Sequence, residues 1–142
     1  MSGLDAEQRK AGLDRMRAYL PGLLPPLRLQ QWHVEILDDA PDGDDVSATI
    51  HYNDSDWSAT IKLSDSLLEG SRELQRLHLN HELMHLYLRG IHIQHKALIS
   101  HFSMREWMLI DDRFVHDMEL ATDSLAYLVA PTLPLPPVAS GE

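Results

Sequence analysis

The sequence predicts an α+β fold built as one domain. Three observations carry this prediction: an amphipathic segment near the amino terminus, three short segments in which apolar and polar residues alternate, and two later segments with helical spacing. The chain has 142 residues, of which 44% are hydrophobic, which is enough for one domain with a core of its own. We assign residues 1–130 to that domain and the proline-rich residues 131–142 to a flexible tail.

The first predicted element is a helix over residues 4–20. Apolar residues recur among charged ones at roughly helical spacing, and Pro21 closes the segment. The apolar positions are Leu4, Ala11, Leu13, Met16 and Leu20.

Three strands are predicted next, over residues 31–37, 46–52 and 57–63. Their sequences, QWHVEIL, VSATIHY and WSATIKL, alternate in the way expected of strands with one buried face. The connections DDAPDGDD and NDSD are short and rich in turn-forming residues. They predict a small antiparallel sheet made of two hairpins, whose exposed edge, residues 57–63, could pair with an extended peptide. DDAPDGDD lacks the register and the closing glutamate of a calcium-binding EF-hand loop, so we interpret it as a solvated turn.

The segment LNHELMHLYLRG, residues 79–90, lies in a predicted helix over 72–89 that Ser71 caps and Gly90 ends. His81 and His85 are one helical turn apart, so their ring nitrogens can point at one zinc ion. Glu82 sits beside that stripe, where it can reach a water molecule at the metal, as in HExxH zinc hydrolases. The alternative is a pair of structural histidines on a buried helix.

A third ligand is predicted on the later segment HDMELATDSLAYLVAP, which Pro131 ends. His116, Glu119 and Asp123 recur there at three and four residues, on one face of a helix. Glu119 is placed to bind the metal, and Asp123 is placed to orient a ligand histidine through its free ring nitrogen. The alternative is that these are ordinary solvent-facing charges.

HELMH followed by ELATDSLAYLVAP resembles the small gluzincins, and is most similar to the ImmA/IrrE-type peptidases of bacteria and their mobile elements. The resemblance covers residues from about 46 to 131. It implies a zincin-like domain that holds one zinc ion and hydrolyses peptide bonds. It also implies His81, His85 and Glu119 as ligands, Glu82 as general base and Asp123 as the supporting carboxylate.

A three-histidine zinc hydrolase is the rival class, because GIHIQH follows the motif. Leu88 and Ile91 stand where a metzincin has its glycine and third histidine, so that register fails, and His92 remains a weaker candidate for third ligand. His92, His95 and His101 are interpreted as loop residues. His78, His116 and Tyr127 are further candidates for lining the cleft, and the alternative for His78 is a hydrogen-bonded structural histidine. Tyr87, Tyr127 or His116 could also assist the oxyanion.

Composition limits the possible partners. Twenty-two acidic against twelve basic side chains give a net charge of −10, which disfavours nucleic acid and anionic membranes as partners. Cysteine is absent, so nitrogen and oxygen atoms must hold any metal. No signal peptide or membrane-spanning run is recognised, which predicts a cytoplasmic protein. The expected function is a zinc metallopeptidase acting on a peptide or protein substrate; the alternative is a catalytically silent, metal-binding interaction module.

Overall fold

The computed structural model describes residues 3–139. Residues 1–2 and 140–142, where the predicted domain begins and the predicted tail ends, lie outside the described residues. The described chain is an α+β structure with five α-helices and a three-stranded mixed sheet. The elements are α1 (Ala6–Tyr19), β1 (His33–Ile36), β2 (Ala48–Asn53), β3 (Ser58–Leu63), α2 (Asp65–Glu69), α3 (Arg72–Tyr87), α4 (Arg89–Ala97) and α5 (Met104–Val129).

The predicted amino-terminal helix is confirmed as α1. Asp5 caps it by accepting a 2.8 Å hydrogen bond from the backbone N–H of Gln8, whose side chain accepts in return from the backbone N–H of Asp5. Leu13 and Met16 are buried and join the main core, which α1 shares with the sheet, α2 and α3.

The three strands form where they are predicted, and the second predicted hairpin, β2–β3, is confirmed. The first predicted hairpin, β1–β2, is wrong. The strand order is β1-β3-β2, with β2 antiparallel and β1 parallel to β3. The alternating pattern specifies which face of a strand is buried, but it does not specify which other strand pairs with it. The DDAPDGDD connection carries the chain across β3 instead of forming a hairpin. The predicted exposed edge at 57–63 is therefore wrong as well, since β3 is central and β2 is an edge strand.

The predicted motif helix is confirmed as α3, although its end differs. Ser71 caps the start, its hydroxyl accepting from the backbone N–H of Leu74 at 3.2 Å. Gly90 does not end the helix, because α3 stops at Tyr87 and Gly90 lies inside α4. The turn is made at Leu88, whose N–H donates to the carbonyl of Met84.

The second predicted helix forms within the longer α5, which begins at Met104. Ser103 and Glu106 cap each other there, a start that the periodic pattern at 116–129 did not indicate. α5 packs along α3, and the buried side chain of Asn80 donates a 3.0 Å hydrogen bond to the carbonyl of Ala126. This bond and the packing around it fix α5 beside the histidines of α3.

The proline-rich segment follows α5 and contacts the domain as far as Pro136, whose carbonyl accepts a 2.6 Å hydrogen bond from Arg72 Nε. The Tyr19 hydroxyl donates to the carbonyl of Pro134 at 2.6 Å, and Arg76 donates to the carbonyl of Leu133 at 3.0 Å. That residues 131–142 form a flexible tail is a statement about motion, and it stays a prediction. Within residues 3–139, none of the helices has the length and apolar character needed to cross a membrane.

Candidate metal centre

Three side chains from two helices meet at one point. His81 and His85 project from α3 and Glu119 projects from α5, and one possible ligand atom from each lies within 4.8 Å of the other two. His81 Nε2 is 3.6 Å from Glu119 Oε2, and His85 Nε2 is 3.5 Å from Glu119 Oε1. We call these three residues the histidine–glutamate group.

A second carboxylate on α5, that of Asp123, contacts the histidine–glutamate group through His81. Asp123 lies one turn beyond Glu119, and its Oδ1 is 2.8 Å from His81 Nδ1. A carboxylate accepts this hydrogen bond, so the His81 proton belongs on Nδ1 and the lone pair on Nε2. That lone pair is on the nitrogen nearer to Glu119.

Burial favours the neutral imidazole at two histidines of α3, His78 and His85. It is the main cause that lowers the pKa of His85, and the nearby His81 acts in the same direction while Glu119 opposes it. Burial also lowers the pKa of His78, again reinforced by His81. A neutral imidazole is the form that binds a metal ion.

Glu82 lies next to the group without being part of it. Only 7% of the residue is exposed. Burial, followed by repulsion from the charge of Glu119, raises the pKa of Glu82 to about 7. The Glu82 carboxyl can therefore both release and hold a proton near neutral pH, which suits a group that transfers one.

Two adjoining cavities open beside these residues, and His81 and Glu82 line both. The first, of about 390 Å³, also contains His78, Asp123 and Tyr127 in its wall. The second, of about 400 Å³, lies against strand β2 and is also lined by His85, His92 and Glu119. Together the cavities form a cleft between the edge strand and α5.

The remaining predicted cleft residues divide into two sets. His78 and Tyr127 line the cleft, whereas His116 is exposed and is absent from the lining of both cavities. Tyr87 lines a separate cavity.

The histidines after the motif are not loop residues, and that interpretation is corrected. His92 and His95 lie in α4, and His101 lies in a 3-10 turn. His92 lines the cleft but is not part of the histidine–glutamate group, and its ring meets Phe114 edge-on at 5.3 Å.

Sequence reasoning missed a second histidine–carboxylate pair on the same helix. His95 Nε2 is 2.9 Å from Asp111 Oδ1, and the His95 ring stacks on Phe114 at 3.6 Å and on Trp107 at 4.7 Å. The available signal was the spacing of Trp107, Asp111 and Phe114 along one face of α5.

Comparison with models of protein families, with curated proteins and with solved structures finds no significant match. The functional argument therefore rests on the residues of this chain.

Proposed function

We propose that this protein is a zinc-dependent metallopeptidase with a zincin-like site, in which His81, His85 and Glu119 hold one zinc ion. One observation carries the proposal. Ligands that bind zinc tetrahedrally at about 2.0–2.1 Å lie roughly 3.3–3.5 Å from each other. His81 Nε2 is 3.6 Å from Glu119 Oε2 and His85 Nε2 is 3.5 Å from Glu119 Oε1, and one ligand atom from each of the three residues lies within 4.8 Å of the other two. Small side-chain movements therefore bring these atoms to the spacing of a ligand set.

The chemistry of the three side chains fits zinc. Two imidazoles and one carboxylate are a ligand set found in catalytic zinc sites, which use three protein ligands. Asp123 supplies the carboxylate that such a site places behind a ligand histidine. Zinc, when bound, supplies Lewis acidity, which lowers the pKa of water toward about 7 and polarises a carbonyl group.

Glu82 acts as the general base in this proposal. Its carboxylate takes a proton from the attacking water as the new carbon–oxygen bond forms at the scissile carbonyl. It then gives that proton to the leaving amine as the carbon–nitrogen bond breaks. The raised pKa of Glu82 suits both steps, since a group with a pKa near the working pH accepts and returns a proton readily.

The edge strand β2 provides a way to align the substrate. β2 pairs with β3 on one side, and its residues Ala48 to Tyr52 line the cleft together with His81, Glu82 and His85. An extended peptide that pairs with this edge has its backbone fixed beside Glu82. The substrate class is therefore an extended peptide or an unfolded segment of a protein.

Glu82→Gln tests the enzymatic proposal directly. The variant should bind zinc as the wild type does and keep its thermal stability, while peptide hydrolysis falls by at least about 100-fold, because an amide accepts no proton. Zinc content is measured by elemental analysis after purification without a metal-chelating tag, and hydrolysis with a library of peptides. Loss of zinc in the variant would contradict the assignment of Glu82 as a residue that does not bind the metal.

A catalytically silent, metal-binding interaction module is the second candidate. The observation that favours it is a cluster of exposed apolar side chains on α4, the following turn and the first half of α5, a surface that commonly marks a binding site for a protein. The cluster includes Ile91, Ile93, Leu98, Ile99, Phe102, Met104, Met108 and Leu109. Wild type with bound zinc but with hydrolysis no greater than that of Glu82→Gln would favour this module.

A further inference from the structure

A cavity of about 290 Å³ lies apart from the metal centre, and none of the histidine–glutamate group lines it. We call it the Trp57 cavity. Its walls come from the segment before β1, from the β2–β3 turn and from the junction of α3 with α4. The lining residues used below are Arg28, Gln31, Asp54, Trp57, Tyr87 and Arg89.

Two residues with large side chains that line this cavity have unfavourable backbone conformations. Trp57 has a φ of 55° and Arg28 has a φ of 56°, and within residues 3–139 no other residue except glycine has a positive φ. Glycine is the residue that normally occupies this left-handed region, because it has no Cβ. Both residues line the same cavity, so the two left-handed conformations of large side chains occur together at this site.

The aromatic surface of the cavity is open to a ligand. Trp57 packs edge-to-face against the buried Trp32 at 5.2 Å, yet 51% of Trp57 stays exposed. Tyr87 is 57% exposed. These residues present ring surface that the protein itself leaves uncovered.

The charges of the cavity favour an anion. Arg89 Nε donates to Asp54 Oδ1 at 2.7 Å, and the guanidinium lies 4.0 Å from the ring centre of Tyr52. Asp54 therefore neutralises Arg89. Arg28 is exposed and has no ion pair or side-chain hydrogen bond within residues 3–139, which leaves one uncompensated positive charge beside the rings.

We propose that the Trp57 cavity binds the carboxy-terminal aromatic residue of a peptide. The ring packs against Trp57 and Tyr87, and the terminal carboxylate pairs with Arg28. Gln31 is exposed at the same cavity, and its amide can both donate to and accept from the last peptide bond. The volume is near the lower limit of ligand pockets, about 300 Å³, which suits one residue rather than a longer ligand. Neither zinc nor the proposed hydrolysis is needed for this binding.

The test uses N-acetyl-L-phenylalanine as the probe and the full chain as the receptor. The chain has three tryptophans, whose indole N–H signals are resolved in a two-dimensional NMR spectrum of the 15N-labelled protein. The signals of Trp32 and Trp57 should shift saturably, while Trp107, which contacts His95 instead, should not shift. N-acetyl-L-phenylalaninamide, which lacks the carboxylate, and 3-phenylpropionate, which lacks the peptide bond, should each bind at least about 5-fold more weakly.

Arg28→Gly separates binding from folding. Glycine adopts the left-handed conformation without strain, so this variant should unfold at a temperature at least as high as the wild type. Its affinity for N-acetyl-L-phenylalanine should fall to the level of the amide probe. Arg105→Gln, which removes a positive charge from the exposed start of α5, is the matched control and should bind as the wild type does.

The proposal is overturned by any of three results. The first is the absence of a saturable shift at Trp32 and Trp57 up to the solubility limit of the probe. The second is an equal affinity for the acid and the amide, or for the acid in wild type and Arg28→Gly. The third is equal binding of 3-phenylpropionate, which would make the cavity a site for free aromatic acids.

Discussion

Helix α5 makes two histidine–carboxylate pairs at nearly the same distance, and the surroundings of the two histidines differ. Asp123 lies 2.8 Å from His81 on α3, and Asp111 lies 2.9 Å from His95 on α4. His81 belongs to the histidine–glutamate group and faces a cleft. His95 is stacked between Phe114 and Trp107 and is only 8% exposed.

The difference shows that such a pair can belong either to a group of possible metal ligands or to the packing between two helices. In both pairs one ring nitrogen is held by a carboxylate. For His81 the other nitrogen lies 3.6 Å from Glu119, among atoms that can bind a metal. For His95 the two faces of the ring are covered by aromatic side chains, so the pair joins α4 to α5 as part of the packing. The contacts of the second nitrogen and of the ring faces distinguish the two roles.

The largest expected effects come from Glu119→Ala and His95→Ala, one variant for each region. Glu119→Ala should weaken zinc binding on the order of 100-fold or more, because it removes one of the three proposed ligands. His95→Ala should leave zinc affinity nearly unchanged but lower the free energy of unfolding by about 2–4 kcal/mol, since it empties a site between two stacked rings. Zinc titration against a competing chelator and urea unfolding of the metal-free protein measure the two quantities.

His92→Ala is the control for this pair of variants, because His92 also lines the cleft and is the rival third ligand. It should leave zinc affinity nearly unchanged. A steeper loss of zinc for His92→Ala than for Glu119→Ala would move the chain to a three-histidine class of zinc protein. A large loss of zinc in His95→Ala would remove the distinction between the two regions.

A smaller effect is expected from the carboxylates. Asp123→Ala should weaken zinc binding about 10- to 100-fold, because His81 is then free to rotate. Asp111→Ala should not change zinc affinity but should cost about 1 kcal/mol of stability, the usual value of one hydrogen bond. Measuring both variants in the same zinc and urea titrations compares the two pairs directly. An unchanged zinc affinity in Asp123→Ala would make Asp123 a solvent-facing charge only.

The sequence predicts the first region well because its information is local. The spacing of His81 and His85 and that of Glu119 and Asp123 each specify one face of one helix, and the structure places those two faces together. The roles of these residues as ligands, base and support stay predictions.

The second region and the strand order depend on contacts between distant segments. His95 reaches Asp111 only because α4 packs against α5. Residues 89–97 have no capping side chain at their start, so the sequence does not indicate a helix there. In the same way, alternation within β1 gives no indication that it pairs with β3 in parallel. The left-handed conformation of Trp57 also has no local signal, because glycine, and not tryptophan, indicates that region in a sequence.

The smallest effect concerns pH and His92, which joins the two regions. Its ring meets Phe114, which in turn stacks on His95, and it also lines the cleft. Burial first, and then the positive charges of Arg89, Lys96 and His95, lower the pKa of His92 from its ordinary value of 6.5, while Asp111 opposes them. The folded protein therefore binds a proton at His92 less readily than the unfolded chain does.

The sign of the pH effect follows from that difference. As the pH falls below 6.5, His92 of the unfolded chain takes up a proton before His92 of the folded protein does. The free energy of unfolding therefore decreases as the pH falls, until the pH is below the pKa of His92 in the folded protein as well. His92→Gln should therefore lose less stability than the wild type between pH about 7.5 and about 5. Urea unfolding in the presence of a chelator measures this without competition from zinc. Equal losses in the two proteins would show that His92 does not contribute to the loss of stability at low pH.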